Sequence, residues 1–181
     1  MSTRAPWLCD QARQLLAQRG HAWLLQGPSG LGQYSLALDL ARAWLTAEGV
    51  ARADAPVLLR AAGGRPEEAL ALHNAGRDAR QWSQLPKAVA RGDVSAFGDC
   101  TPAQAIDMLQ KLCHDLLASR TGGQPRFFAG NDLPATGNVA ALAAWWRDLA
   151  GEQRTAEHPF NTGLMLEALV ARARAALHSA S

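Results

Sequence analysis

His21-Ala22-Trp23-Leu24-Leu25-Gln26-Gly27-Pro28-Ser29-Gly30-Leu31-Gly32-Gln33-Tyr34-Ser35 is the stretch on which the reading of this chain turns. A short apolar segment runs into a glycine turn and out into a helical pattern, which is the layout of a phosphate-binding loop. A working loop reads G-x-x-x-x-G-K-[ST]: backbone N–H groups cradle the phosphates, the lysine reaches the β and γ phosphates, and the hydroxyl binds magnesium. Gly27 and Gly32 hold the glycine positions and Gly30 lies in the turn, but Gln33 stands where the lysine belongs and Tyr34 where the Ser/Thr belongs. A neutral amide does not replace an ammonium facing a polyanion, and a phenol is a poor magnesium ligand. Ser35 falls one residue late for the magnesium hydroxyl. The stretch therefore predicts a strand-turn-helix kept for its shape, with no catalytic residue, no cofactor and no metal. Weak anion attraction by the N–H groups of the helix start is the remaining alternative.

Working outward, Trp7, Leu8, Ala12, Leu15 and Leu16 have helical spacing and predict a helix over residues 5–19, stopped at Arg19-Gly20. His21 to Gln26 is the strand candidate. After the loop, Leu36, Leu38, Leu40, Ala41, Trp44 and Leu45 predict a second helix to Ala47. A phosphate-loop strand normally opens a parallel sheet whose next strand arrives after a crossover of about a dozen residues or more. No such series is found downstream, and beyond Val50 there is no aliphatic run ending in the paired acids that would order magnesium. A single strand leaves its backbone donors and acceptors unpaired on both edges. Residues 1–50 thus read as the opening of an α/β domain whose remainder is absent, a piece expected to be less stable than the rest of the chain.

The composition changes at Val50-Ala51-Arg52-Ala53-Asp54-Ala55-Pro56, and residues 54–181 read as a compact helical bundle. Val57 to Ala62 closes at Gly63-Gly64, and Pro66 opens a helix with Glu67 and Glu68 in its first turn, where the helix dipole favours acids. A further helix covers Ala79 to Ala90, with a possible restart at Pro86. Thr101-Pro102-Ala103-Gln104 spells a capping box with proline at the first helical position. The helix it starts has Ala105, Leu109, Leu112 and Leu116 on its inner face, widened by Ile106, Cys113 and Leu117. Gln124 to Asn138 reads as a loop anchored by Phe127 and Phe128. Val139 to Leu149 is helical, and Asn161 caps a last helix that turns Leu166, Leu169, Val170, Ala173 and Leu177 inward. The expected fold class is mainly α, with a truncated α/β fragment in front.

Abundant alanine and few β-branched residues agree with helices. The net charge is +2 and nearly all basic residues are arginine, without a run of like charge, so no whole-domain nucleic-acid face is indicated. Cys9, Cys100 and Cys113 are odd in number and far apart, which supports neither a disulfide framework nor a zinc site. With no signal-like or membrane-length apolar run, a soluble cytoplasmic protein is expected.

Two separated groups of residues together resemble one family, the delta-prime subunit of the bacterial DNA polymerase III clamp loader. The first is Ala5-Pro6-Trp7-Leu8 with His21 to Gly32, similar to the start of that family's AAA+ module. The second comprises Gly63-Gly64-Arg65-Pro66-Glu67-Glu68-Ala69-Leu70, Trp82-Ser83-Gln84-Leu85, Leu109 to Leu116 and His158-Pro159-Phe160-Asn161-Thr162-Gly163-Leu164, similar to its lid and C-terminal collar domain. The resemblance implies a non-catalytic subunit in a DNA-replication complex with nucleotidyltransferase activity. Its partners would be other clamp-loader subunits in a hetero-oligomer, with DNA met only through the complex and no membrane. It also accounts for a dead loop, and Glu67 would stand near where the lid of an ATP-using relative presents an arginine to the γ-phosphate. Arg65 is close, but at another helical angle. The departure is large, because the family's zinc insertion, acid-bearing strand and arginine finger would fall between Val50 and Asp54, where this chain has nothing. No role in triggering a partner's hydrolysis is therefore carried over. The division implied is a truncated AAA+ fragment over 1–50 and a lid remnant with a collar-like oligomerisation domain over 54–181.

Three further groups have two readings each, and His158 has one. Trp145-Trp146 is a base-stacking platform, or one ring packs inside while the other lies at a subunit contact or on the surface, since adjacent helix positions point ~100° apart. Arg172 and Arg174 grip phosphates or complement the dipole of the last helix. Cys113, His114 and Asp115 form a catalytic set or a structural one, and helical neighbours do not converge on one point. His158 precedes Pro159 as a turn element. The alternatives to an assembly subunit are a small P-loop nucleotide-binding protein and a stand-alone helical interaction module.

Overall fold

The computed structural model describes residues 6–18, 24–135, 137–155 and 161–179. Among these residues the chain forms eight α-helices and no β-strand: α1 (Pro6–Ala17), α2 (Gln33–Ala47), α3 (Ala55–Ala61), α4 (Pro66–Asn74), α5 (Ala79–Arg91), α6 (Pro102–Arg120), α7 (Val139–Glu152) and α8 (Thr162–His178). The protein is mainly helical. The α/β fragment expected in front is corrected here. His21, Ala22 and Trp23 lie outside the described residues, and Leu24 to Gly27 has irregular backbone, with Leu24 88 % exposed. The reason is the one that makes a lone strand costly: among the described residues no strand offers a ladder to pair with.

The chain divides into two compact units, Met1–Asp78 and Ala79–Ser181. That division lies downstream of the change in composition at Val50, because α3 and α4 pack with α2. In the first unit Leu45, Val50, Ala55, Leu58, Leu59, Ala62 and Ala69 form one apolar cluster, with Leu38, Ala41, Trp44, Leu70 and Leu72 against it. Val50 to Asp54 is therefore the turn inside a helical core. Val50 N–H donates to Leu45 O (3.0 Å), Asp54 N–H donates to Ala51 O (2.9 Å), and α3 starts at once with Ala55 buried. By contrast α1 buries none of Trp7 to Ala17 completely.

In the second unit α6 packs on α7 and α8, α7 packs on α8, and α5 packs on α8. The inner faces follow the helical period of the sequence. Ala105, Ile106, Leu109, Leu112, Cys113 and Leu116 are buried on α6, with Leu117 half-buried beside them. Leu166, Leu169, Val170, Ala173 and Leu177 are buried on α8. Helix starts are specified by side chains. Thr101 Oγ1 accepts from Gln104 N (3.3 Å) while Gln104 Oε1 accepts from Thr101 N (2.9 Å), closing the capping box. Asn138 accepts from Ala141 N (2.8 Å) and Asn161 from Leu164 N (3.2 Å). Pro86 lies inside α5 and the helix runs through it without a break; lacking an N–H, Pro86 gives no bond to the Trp82 carbonyl.

Thr101→Ala removes one half of the capping box on the longest helix, so it is expected to lower stability by about 1 kcal/mol in urea unfolding, with the slope of the transition unchanged.

Candidate functional site

The glycine loop forms the turn its sequence predicts, and the Gln33 side chain bonds within it. Gly30 and Gly32 have φ of +88° and +89°, the left-handed region open to glycine, and Gly32 is the N-cap of α2 without a side-chain cap. A Cβ on Gly32 would stand 2.9 Å from Leu8 Cδ1, so this glycine also lets α1 approach the start of α2. The Gln33 side chain, at the lysine position, folds back over the loop and donates from Nε2 to Pro28 O (2.8 Å). A Cβ on Gly27 would meet that same Nε2 at 2.8 Å. The amide thus fills the concavity of the loop and satisfies one of its carbonyls. Tyr34 is 74 % exposed and Ser35 is exposed beside it on the first turn of α2.

Between α1 and this loop runs a groove of about 350 Å³. Its walls are Trp7, Leu8, Leu15, Leu24, Leu25, Leu31 and Leu36, with Gln11, Gln14, Gln18, Gln26 and Gln33 among them. Among the described residues none of its lining side chains is charged. On α1 the lining residues recur every three or four positions, one face of a helix.

At the start of α4, Arg65 is the extended N-cap. Its Nε donates to Ala62 O (3.1 Å) and its Nη2 pairs with Glu68 (2.6 Å), so both ends of the guanidinium are engaged locally. Glu67 lies in the first turn of α4, where the dipole favours it.

The second unit contains a constellation whose importance the sequence did not disclose. Asp115 is completely buried on α6, and its carboxylate accepts three successive backbone N–H groups: Arg126 on Oδ1 (2.8 Å), and Phe127 (2.7 Å) and Phe128 (2.8 Å) on Oδ2. His114 Nδ1 also donates to Oδ1 (2.9 Å), so two of these three helical neighbours meet while Cys113 points elsewhere. The bond requires the proton on Nδ1 in the neutral ring. With the loop so fixed, Phe128 stacks on Trp82 of α5 (4.7 Å between centroids, 5° between planes) and Trp82 Nε1 donates to Phe127 O (3.1 Å). The Phe127 ring is ringed by Lys111 Nζ (5.8 Å), Arg126 Cζ (5.4 Å) and the edge of His114 (5.4 Å). Lys111 in turn pairs with Asp107 (2.7 Å). These bonds hold a loop against two helices, and no nucleophile is aligned with the His114 ring: Cys113 turns into the core, where its Sγ donates to Leu142 O (3.3 Å) and burial pushes the thiol up to about 12. The structural reading of Cys113, His114 and Asp115 is the one the geometry supports.

The remaining residues are dispersed. Trp145 is buried and Trp146 is 39 % exposed, so the adjacent rings do not form a stacking platform. Arg172 pairs with Glu152. Arg174 lies over Gly92 at the carboxyl end of α5, its Cδ 3.1 Å from where a Cβ would stand. His158 lies outside the described residues. Among the described residues no group of three or more His, Cys, Asp or Glu is placed to hold a metal ion, and no helix is long and apolar enough to cross a membrane. Comparison with protein-family models, with curated proteins and with solved structures finds no match.

Asp115→Asn turns one of the two acceptor oxygens into a donor facing an N–H, and is expected to cost about 2–4 kcal/mol in chemical denaturation, with near-ultraviolet circular dichroism reporting the loosened Trp82–Phe128 stack. In native buffer a disulfide reagent is expected to reach Cys9 and Cys100, which are partly exposed, and to spare Cys113 until denaturant is added. Mass mapping of the modified peptides checks the assignment.

Proposed function

We propose that this chain is a non-catalytic assembly subunit of the delta-prime type, acting by packing against other clamp-loader subunits of bacterial DNA polymerase III. Its second unit would be the collar-like bundle and its first a remnant of the AAA+ start and lid. The observation that carries the non-catalytic part is Gln33: the side chain at the lysine position is neutral and is bonded to the loop's own Pro28 carbonyl. A triphosphate would find neither an ammonium nor the space it needs there. The assembly part is supported by large apolar side chains left at the surface of the bundle. Trp146 and Val139 are a heptad apart on α7, and Leu164 is 64 % exposed on α8. A stand-alone helical interaction module would use the same surfaces with different partners.

At micromolar concentration the purified chain is expected to co-elute with the other clamp-loader subunits, and Trp146→Glu to weaken that co-elution by about tenfold or more by burying a charge in the contact. Elution of the chain alone, or its capture from extract only with proteins unrelated to replication, would overturn the clamp-loader reading. Tight magnesium-dependent ATP binding by the isolated chain would overturn the non-catalytic one.

A further inference from the structure

We propose that the outer face of α5 is a docking surface for the phosphate backbone of a nucleic acid, contacted without regard to base sequence. The proposal goes beyond the assembly role, in which DNA is met only through the complex, and rests on α5 and its neighbour α8 alone.

α5 carries Arg80, Lys87 and Arg91 and no acidic residue; the flanking acids, Asp78 and Asp93, lie beyond its ends. Arg80, Gln84, Lys87 and Arg91 recur at helical spacing, which puts them within about 60° of one another around the helix and spreads them over roughly 16 Å of its length. All four are exposed, while Trp82, Leu85, Pro86, Ala88 and Val89 are buried. A further cation continues the row: Arg174 of α8 lies over Gly92, just past the end of α5, with its Nη1 3.5 Å from where a Cβ would stand.

These cations are not neutralised within the protein. Arg42, Arg65, Lys111 and Arg172 are each matched by an acid. Among the described residues Arg80, Lys87, Arg91 and Arg174 form no such ion pair. Asp93 follows Arg91, but its carboxylate accepts from Ser95 N (3.0 Å) and Ser95 Oγ (2.6 Å).

The make-up of the face decides the partner. The centre of a protein–protein contact is rich in aromatic side chains and poor in lysine, whereas every exposed residue of α5 is polar. Lying on a membrane surface uses the apolar side of a helix, and here that side is buried in the second unit. A nucleic-acid backbone needs neither. It offers anions along its whole length, one per ~1.7 Å of duplex axis, and guanidinium forks match phosphate oxygens. Contacts to phosphates fix position and carry no base information, so the row binds without choosing a sequence.

Fluorescence anisotropy of the full chain with a labelled mixed-sequence DNA duplex tests the site. Log affinity is expected to fall against log salt with a slope of about −3 to −4, the signature of some three or four phosphate contacts. Arg80→Ala and Lys87→Ala should each flatten that slope by about one and weaken binding about threefold or more at low salt. Far-ultraviolet circular dichroism should stay that of the parent, because alanine favours the helix. Arg147→Ala, which removes the same charge from an exposed position on α7, should leave affinity and slope unchanged. A duplex of unrelated sequence should bind equally. The proposal is overturned by no binding at low salt, by a slope indifferent to the α5 variants, by an equal effect of Arg147→Ala, or by strong preference for one sequence. Poly-glutamate competing as well as the duplex would overturn it too, assigning the face to an acidic protein. Co-elution with clamp-loader subunits is a separate readout, so failure of either reading is distinguishable from failure of the other.

Discussion

The second half of this protein depends on one buried carboxylate. A loop that passes over a helical core brings backbone N–H groups into a place where water cannot reach them, and each such group left alone costs about 1–3 kcal/mol. Asp115 satisfies three in succession, those of Arg126, Phe127 and Phe128, from a single position on α6. Because the three donors are consecutive, the bonds fix the direction of the chain as well as its distance from the helix. That direction turns the Phe128 ring inward onto Trp82 and leaves the Phe127 ring among Lys111, His114 and Arg126. A polar contact thus determines which of two adjacent phenylalanines becomes core.

The helices and their inner faces were legible because they rest on local rules. The Thr101–Gln104 box, the Asn161 cap and the i, i+3, i+4 spacing of Leu109, Leu112 and Leu116 each carry their information within one or two turns. Asp115 was not legible in the same way. Its partners lie 11 to 13 positions away, and nothing in its own neighbourhood separates an acid that grips a distant loop from one that faces water. The adjoining His114 admitted a catalytic and a structural reading for the same reason: side-chain identity was visible and direction was not. The change in composition at Val50 falls inside the first compact unit, because such a change looks the same whether it starts a new unit or forms the turn within one. Only the packing of Leu45, Val50 and Ala55 in one cluster distinguishes the two.

In the first half, chemistry read from identity alone went further. The neutral amide at position 33 is a fact of sequence and leaves the glycine motif without the ammonium that motif calls for. What identity did not reveal is that the Gln33 amide bonds within the loop, to the Pro28 carbonyl. The same loop forms one wall of the groove beside α1, where the strand expected before it would have lain against a sheet. With no sheet among the described residues, α1 keeps apolar side chains that are only partly covered.

The turn from Val50 to Asp54 is short because its ends are part of the core. Val50 and Ala55 flank it with both side chains inside, and Leu45 receives the Val50 amide across the end of α2. The same few residues therefore reverse the chain and roof the leucines of α2, so a substitution that enlarges or charges Val50 or Ala55 acts on the cover of that helix as much as on the bend itself.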